Sequence, residues 1–381
     1  MNPSVPKFVT PLAFLSLFVL FLCLPRTGVP SSTGSVSEIA AMHIPRASHS
    51  STLLPNGKVL IAGGFAGSGG ESNPYSTTEL YNPRTSTFES AASMSIGRSG
   101  HTATLLKNGA VLIVAGWTGR YAVRNSAELY DPAANKFTPT GNLVIERADN
   151  TATLLADGRV LITGGVDRQE NALNSCEIYD PATGKFALTG SMANPRGAHT
   201  ATLLANGKVL IVGGGSGHYP SQTIYRDAEL YDPVSGKFSP AGQTTVLRHK
   251  HAALLLRSGK VLIVGGSDNR DWRGEYTSAE IYDPASNTFT ASGPMHTARF
   301  KIPYAVALLP NGKVLVAGGG PFAELFDERT NSFTQIPGSL GAARFFASAT
   351  LLPNGQALIT GGYFDSGSSL PATPSAWLYQ P

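Results

Sequence analysis

Residues 196–214 read RGAHTATLLANGKVLIVGG, and residues 227–238 read DAELYDPVSGKF. His199 to Leu204 and Lys208 to Val212 are short apolar runs separated by Ala205-Asn206-Gly207. Asn-Gly between two such runs is a strong hairpin signal, because both turn residues tolerate positive φ. Val209, Leu210, Ile211 and Val212 are apolar on both faces, as expected of a strand covered on both sides. A third strand is expected over Ala228 to Asp232, and a fourth from near Phe238 after the Pro-Val-Ser-Gly turn. The stretch therefore encodes one four-stranded antiparallel unit.

The same unit recurs seven times. Its leading arginines are Arg46, Arg98, Arg147, Arg196, Arg248, Arg299 and Arg344, spaced by 52, 49, 49, 52, 51 and 45 residues. The hairpin turn recurs as Asn56-Gly57, Asn108-Gly109, Asp157-Gly158, Asn206-Gly207, Ser258-Gly259, Asn311-Gly312 and Asn354-Gly355. Four-stranded sheets repeated radially make an all-β, seven-bladed β-propeller, with the first strand of each blade nearest the axis. The seventh unit stops at Tyr379-Gln380-Pro381, after its third strand. Val36 and Met42 precede Arg46 just as Phe88 and Met94 precede Arg98, so residues 35–43 are expected to supply the missing outer strand and close the ring.

The chain of 381 residues is poor in charge, at 14% against a usual share of about 25%, and rich in glycine. Lys7 and Arg26 lie in the N-terminal segment, and without them the net charge of +4 falls by two. The remaining basic residues are distributed one or two per repeat, with no run that would mark a nucleic-acid footprint. Phe8 to Leu24 is almost wholly apolar and is closed by Pro25, the layout of a signal peptide. The expected organisation is a signal peptide or membrane anchor over 1–34 and a propeller over 35–381. Val29-Pro30-Ser31 is the cleavage candidate, and the location is secreted or periplasmic, with a membrane contact only through an uncleaved anchor at 8–24. Of the two cysteines, Cys23 leaves with a cleaved signal, so Cys176 has no disulfide partner. The propeller is expected to act as a monomer, without nucleic acid and without a cofactor.

Gly-Gly pairs such as Gly63-Gly64 and Gly213-Gly214, a tyrosine such as Tyr81 or Tyr231, and an aromatic at Phe88 or Phe238 resemble the kelch-repeat family over essentially all of residues 35–381. The chain departs from that pattern where Phe stands for the usual Trp, and where Ala115-Gly116 replaces Gly-Gly. The resemblance implies a binding module in most cases and an enzyme in some, such as the copper-radical oxidases of the galactose oxidase type. Those oxidases need a Tyr cross-linked to Cys, a second Tyr and histidine ligands. Cys176 replaces the Ala of the third-strand pattern and reads as packed.

A catalytic group is needed once, whereas a residue present in nearly every blade is more economically part of the blade. The seven arginines and Glu79, Glu128, Glu177, Glu229, Glu280 and Glu324 are therefore expected to pair structurally, with Trp377 at the glutamate position of blade seven. His49, His101, His199 and His251 share one repeat position and read as packing residues, not metal ligands. The unrepeated residues lie on the face that carries the connections after Gly-Gly and those leading into each Arg. Trp117, Tyr121, His218, Tyr219 and Trp272 stand on its long loops. Between the Arg and His positions, Asp149, His249, Lys250, Phe300, Lys301, Phe345 and Phe346 are expected at the channel mouth. The short connection Gly320 to Phe322 of blade six makes a notch giving access. No residue is assigned as catalytic and none as a metal ligand.

These features favour an extracytoplasmic binding or scaffold module that recognises a glycan or protein through the long-loop face. A basic and aromatic sector over blades five to seven would suit an anionic or carbohydrate-like ligand, through Lys250 and Lys301. The alternative is a carbohydrate-active enzyme: a sugar epimerase or lyase using Asp149 with His249 or Lys250, or an oxidase resembling galactose oxidase.

Overall fold

The computed structural model describes residues 34–67, 73–120, 122–218 and 221–381. The apolar N-terminal segment expected to be a signal peptide or anchor, Tyr121 and Tyr219 lie outside these residues. Seven four-stranded antiparallel sheets form the blades of the propeller. Blade four, for example, runs Thr200–Leu203, Val209–Val212, Asp227–Asp232 and Lys237–Gln243. The second strands are buried throughout, because each is covered by the sheets of both neighbouring blades.

Blade seven is completed from the other end of the chain. Ser35–Ile39 pairs antiparallel with Ala376–Gln380, with Val36 opposite Tyr379 and Glu38 opposite Trp377. Val36 and Met42 are buried and Ile39 is half-buried. The Val36 N–H also donates to the Pro337 carbonyl, at 2.9 Å, on the connection leaving blade six. Burying each of the two full side chains contributes roughly 1.5–3 kcal/mol as an upper estimate.

The hairpin turns differ from the sequence expectation in one respect. Only the glycine is left-handed, with φ between 81° and 95° across the seven turns, while the preceding Asn, Asp or Ser is not. In blade one the Gly57 N–H donates to the Leu54 carbonyl and the Leu54 N–H to the Lys58 carbonyl. This is a three-residue loop with a glycine bulge, the turn type that follows two-residue loops in frequency. Asn56 is selected for another reason: its side-chain oxygen accepts the Lys58 N–H at 3.0 Å.

Each arginine is buried inside its own blade. Arg46, Arg98, Arg147, Arg196, Arg248 and Arg299 pair with Glu79, Glu128, Glu177, Glu229, Glu280 and Glu324 at 2.6–3.3 Å. Their Nη1 groups also donate to a carbonyl just after the second strand, as Arg147 does to Gly164 at 2.7 Å. Each glutamate in turn accepts a backbone N–H from the connection entering the blade, as Glu177 does from Val144. In blade seven Arg344 lies between the rings of Phe364 and Trp377, 4.9 and 5.2 Å from their centroids.

The histidine column joins blades. His49 Nε2 lies 2.9 Å from the Thr360 hydroxyl of blade seven, and His101 Nε2 the same distance from Ser50 of blade one. His199 and His251 repeat the contact with Thr163 and Thr200. Burial is the main cause that lowers all four pKa values, to about 3 for His49, His101 and His199. They are neutral packing residues.

Candidate functional site at the axial mouth

The second residue after each arginine adopts the left-handed conformation: Ser48, Gly100, Asp149, Ala198, Lys250, Lys301 and Phe346 have φ of 52–57°. Six of these are not glycine, and the conformation costs an L-residue roughly 1–2 kcal/mol. Backbone bonds from blade to blade hold the ring in place. Ser48 N–H donates to Phe346 O, Asp149 N–H to Gly100 O, Lys250 N–H to Ala198 O and Phe346 N–H to Lys301 O, at 2.7–3.1 Å. The backbone feature recurs in every blade, but the side chains it carries do not. Architecture and chemistry therefore separate at this ring.

Inside it lies a cavity of about 350 Å³, lined by Ser48, Asp149, Lys250, Tyr304 and Phe346 above the hydroxyl and alanine side chains of the first strands. Tyr304 was not expected from the sequence. Six arginines stand ten residues before the Asn, Asp or Ser of their hairpin turn; Arg299 stands twelve before Asn311. The two extra residues put Pro303 and Tyr304 in the channel wall. The Tyr304 carbonyl is anchored by the Ala349 N–H at 2.8 Å, and its side chain remains 40% exposed. The enclosing channel walls, with the charge of Asp149 added, push its phenol up to about 12. That irregular spacing was the available signal.

Asp149 stands at the mouth and accepts the Trp117 indole N–H at 2.9 Å. Although Asp149 is exposed to the channel, the protein crowded around the mouth pushes its carboxyl upward, against the Trp117 bond and the attraction of Lys250. Lys250 donates to the Asp271 carboxylate at 2.7 Å. Lys301 is buried, with its ammonium 3.9 Å from the Trp272 ring centroid, 2.8 Å from the Tyr363 hydroxyl and 4.0 Å from Asp271. Although burial pushes Asp271 up, Lys250 and Lys301 hold it below its ordinary range. The basic sector expected from sequence is thus paired internally.

The first residue after each arginine is displaced from the rim, because the left-handed turn that follows reverses the chain. His249, Phe300 and Phe345 are buried beneath the loops. His249 lies 3.6 Å from Asp271, and burial lowers its pKa to about 3. Phe300 and Phe345 support Trp272 at 5.0 and 4.9 Å between ring centroids. Trp272, on the short 3-10 turn Asp271–Arg273, leans from blade five over these blade-six and blade-seven residues. At the short loop of blade six an open groove of about 590 Å³ remains, between Trp272 and Glu275 of blade five and Phe364 and Leu370 of blade seven, with Phe345 in its wall. His218 lies apart from this group, exposed and 3.4 Å from Glu170.

With the seven sheets, the repeated Arg-Glu pairs and the mouth described, comparison with known proteins places the chain. The KLHDC2/KLHL20/DRC7 Kelch-repeats domain matches residues 100–319, and the Kelch motif matches residues 46–95. The chain belongs to the kelch-repeat family. This kelch propeller has no match among the curated proteins. Among solved structures it is similar to a copper-bound fungal alcohol oxidase of the AA5 family, with 17% identity and a TM-score of 0.69. The match covers 91% of this chain and 76% of that one, and it shows a shared fold.

The residues present do not fit a copper centre of that kind. Cys176 is buried in the core between blades three and four, its thiol pushed up to about 12 by burial, away from the mouth. The column histidines turn Nε2 to hydroxyls of neighbouring blades. Among the described residues, no three His, Cys, Asp or Glu side chains come together as a ligand set.

Proposed function

We propose that this kelch propeller is an extracytoplasmic binding module that recognises a glycan at its axial mouth. The observation that carries the reading is the recessed cavity of about 350 Å³ in which Asp149, Lys250, Tyr304 and Phe346 converge from four different blades. Aromatic rings offer faces to the apolar side of a pyranose, while a carboxylate and hydroxyls meet its polar edges. The recess favours a small saccharide unit over a broad protein surface. The apolar segment from Phe8 to Leu24 supports export.

Glycan and peptide arrays probed with residues 35–381 test the reading. Saccharide signals are expected; signals confined to peptides would replace the glycan by a protein ligand. N-terminal sequencing of the exported protein is expected to begin near Ser31, and a chain retained whole in the cytoplasm would contradict export.

A carbohydrate-active enzyme is the second reading, favoured by one observation. The protein around the mouth raises the carboxyl of the exposed Asp149, the direction that suits a general acid or base, and Tyr304 supplies a second ionisable group in the same cavity. Turnover of a bound sugar without added metal would establish an epimerase or lyase.

A further inference from the structure

We infer that the saccharide bound at the mouth carries a protonated amine, which Asp149 receives. The inference rests on the glycan reading above and adds the charge class of the ligand. Sequence alone pointed to an anion, through Lys250 and Lys301. The structure distributes the charges differently. Lys250 is committed to Asp271 at 2.7 Å, and Lys301 is enclosed by Trp272 and Tyr363 beside the same carboxylate.

Asp149 has no comparable compensation. Among the described residues no cation stands within ion-pair distance of it, and its hydrogen-bond donor is the neutral Trp117 indole. Through space it is attracted by Lys250 and repelled by Glu170. Its neighbours on the rim, Gly100 and Ala198, carry no charge. Tyr304 and Phe346 line the same cavity, and aromatic faces attract cations. An ammonium placed beside Asp149 would therefore complete a charge-assisted hydrogen bond, whereas a carboxylate or sulfate there would meet repulsion. An exposed acid without an ion-pair partner, at a cavity lined by Tyr304 and Phe346, selects an amino sugar.

The test is calorimetric titration of the full chain at pH 6 with glucosamine, glucose, N-acetylglucosamine, glucuronate and ethanolamine. Glucosamine is expected to bind about tenfold more tightly than glucose or N-acetylglucosamine, and glucuronate most weakly. Asp149→Asn is expected to bring glucosamine down to the affinity of glucose. Asparagine keeps the shape and tolerates the left-handed backbone, so folding is retained. Equal binding of glucosamine and glucose by the unaltered chain overturns the amine inference while leaving the glycan reading standing. Ethanolamine bound as tightly as glucosamine overturns the sugar instead, and no binding of any probe overturns both.

Discussion

The buried histidines give the residue scale its clearest consequence. His49, His101 and His199 are neutral in the folded ring and protonate freely once unfolded, at an ordinary value of 6.5 against about 3 when folded, and His251 is lowered in the same direction. The unfolded chain therefore binds more protons below pH 6.5, and stability is complete above that pH and is lost as pH falls towards 3. Each histidine adds a slope of up to about 1.4 kcal/mol per pH unit. Denaturant midpoints should fall steadily from pH 7 to pH 4.5, less steeply in His199→Gln, and a flat profile would contradict the neutral column. The structural role of these residues, and of the arginines and glutamates, was legible in the sequence because they recur at fixed places in the repeat. The covering of Lys250 and Lys301 was not, because Asp271 and Trp272 reach them from a loop whose conformation no repeat dictates. Tyr304 was hidden for a related reason. It stands in a strand-like run, and only counting from Arg299 to Asn311 exposes it.

At the scale of elements, ring closure carries the most weight. The strand Ser35–Ile39 is joined to blade seven by its full register with Ala376–Gln380, and Val36 also touches the connection from blade six. Deleting residues 1–45 removes that strand and Met42, and leaves Ala376–Gln380 as an unprotected edge. The truncated chain is expected to melt at a lower temperature and to aggregate; melting identical to the full chain would reject closure by this strand. The sequence disclosed this element through the spacing of Val36 and Met42, which repeats that of Phe88 and Met94. Turn geometry was less legible. Asn-Gly fits two hairpin types, and the choice between them lies in the backbone bonds of Leu54, Gly57 and Lys58, which composition does not encode.

For the whole molecule, seven near-equivalent blades produce a symmetric backbone ring at the axis, and the ring carries unequal side chains. That division explains why the fold was readable from the repeats while the site was readable only in outline. Repetition identifies what every blade needs, and the site consists of what single blades supply. Trp117 and Asp149 come from blades two and three, Lys250 from blade five, Tyr304 from blade six and Phe346 from blade seven. Trp272, 36% exposed, stands beside the mouth and lines the open groove that the short loop of blade six leaves towards blade seven. The claim that the axial mouth is the working surface is tested most directly by titrating a saccharide selected on the array against the unaltered chain and Tyr304→Ala. The account predicts a loss of affinity of roughly tenfold or more with little change in melting temperature, because the ring faces the cavity and not the core. Equal affinity of the two proteins would contradict it.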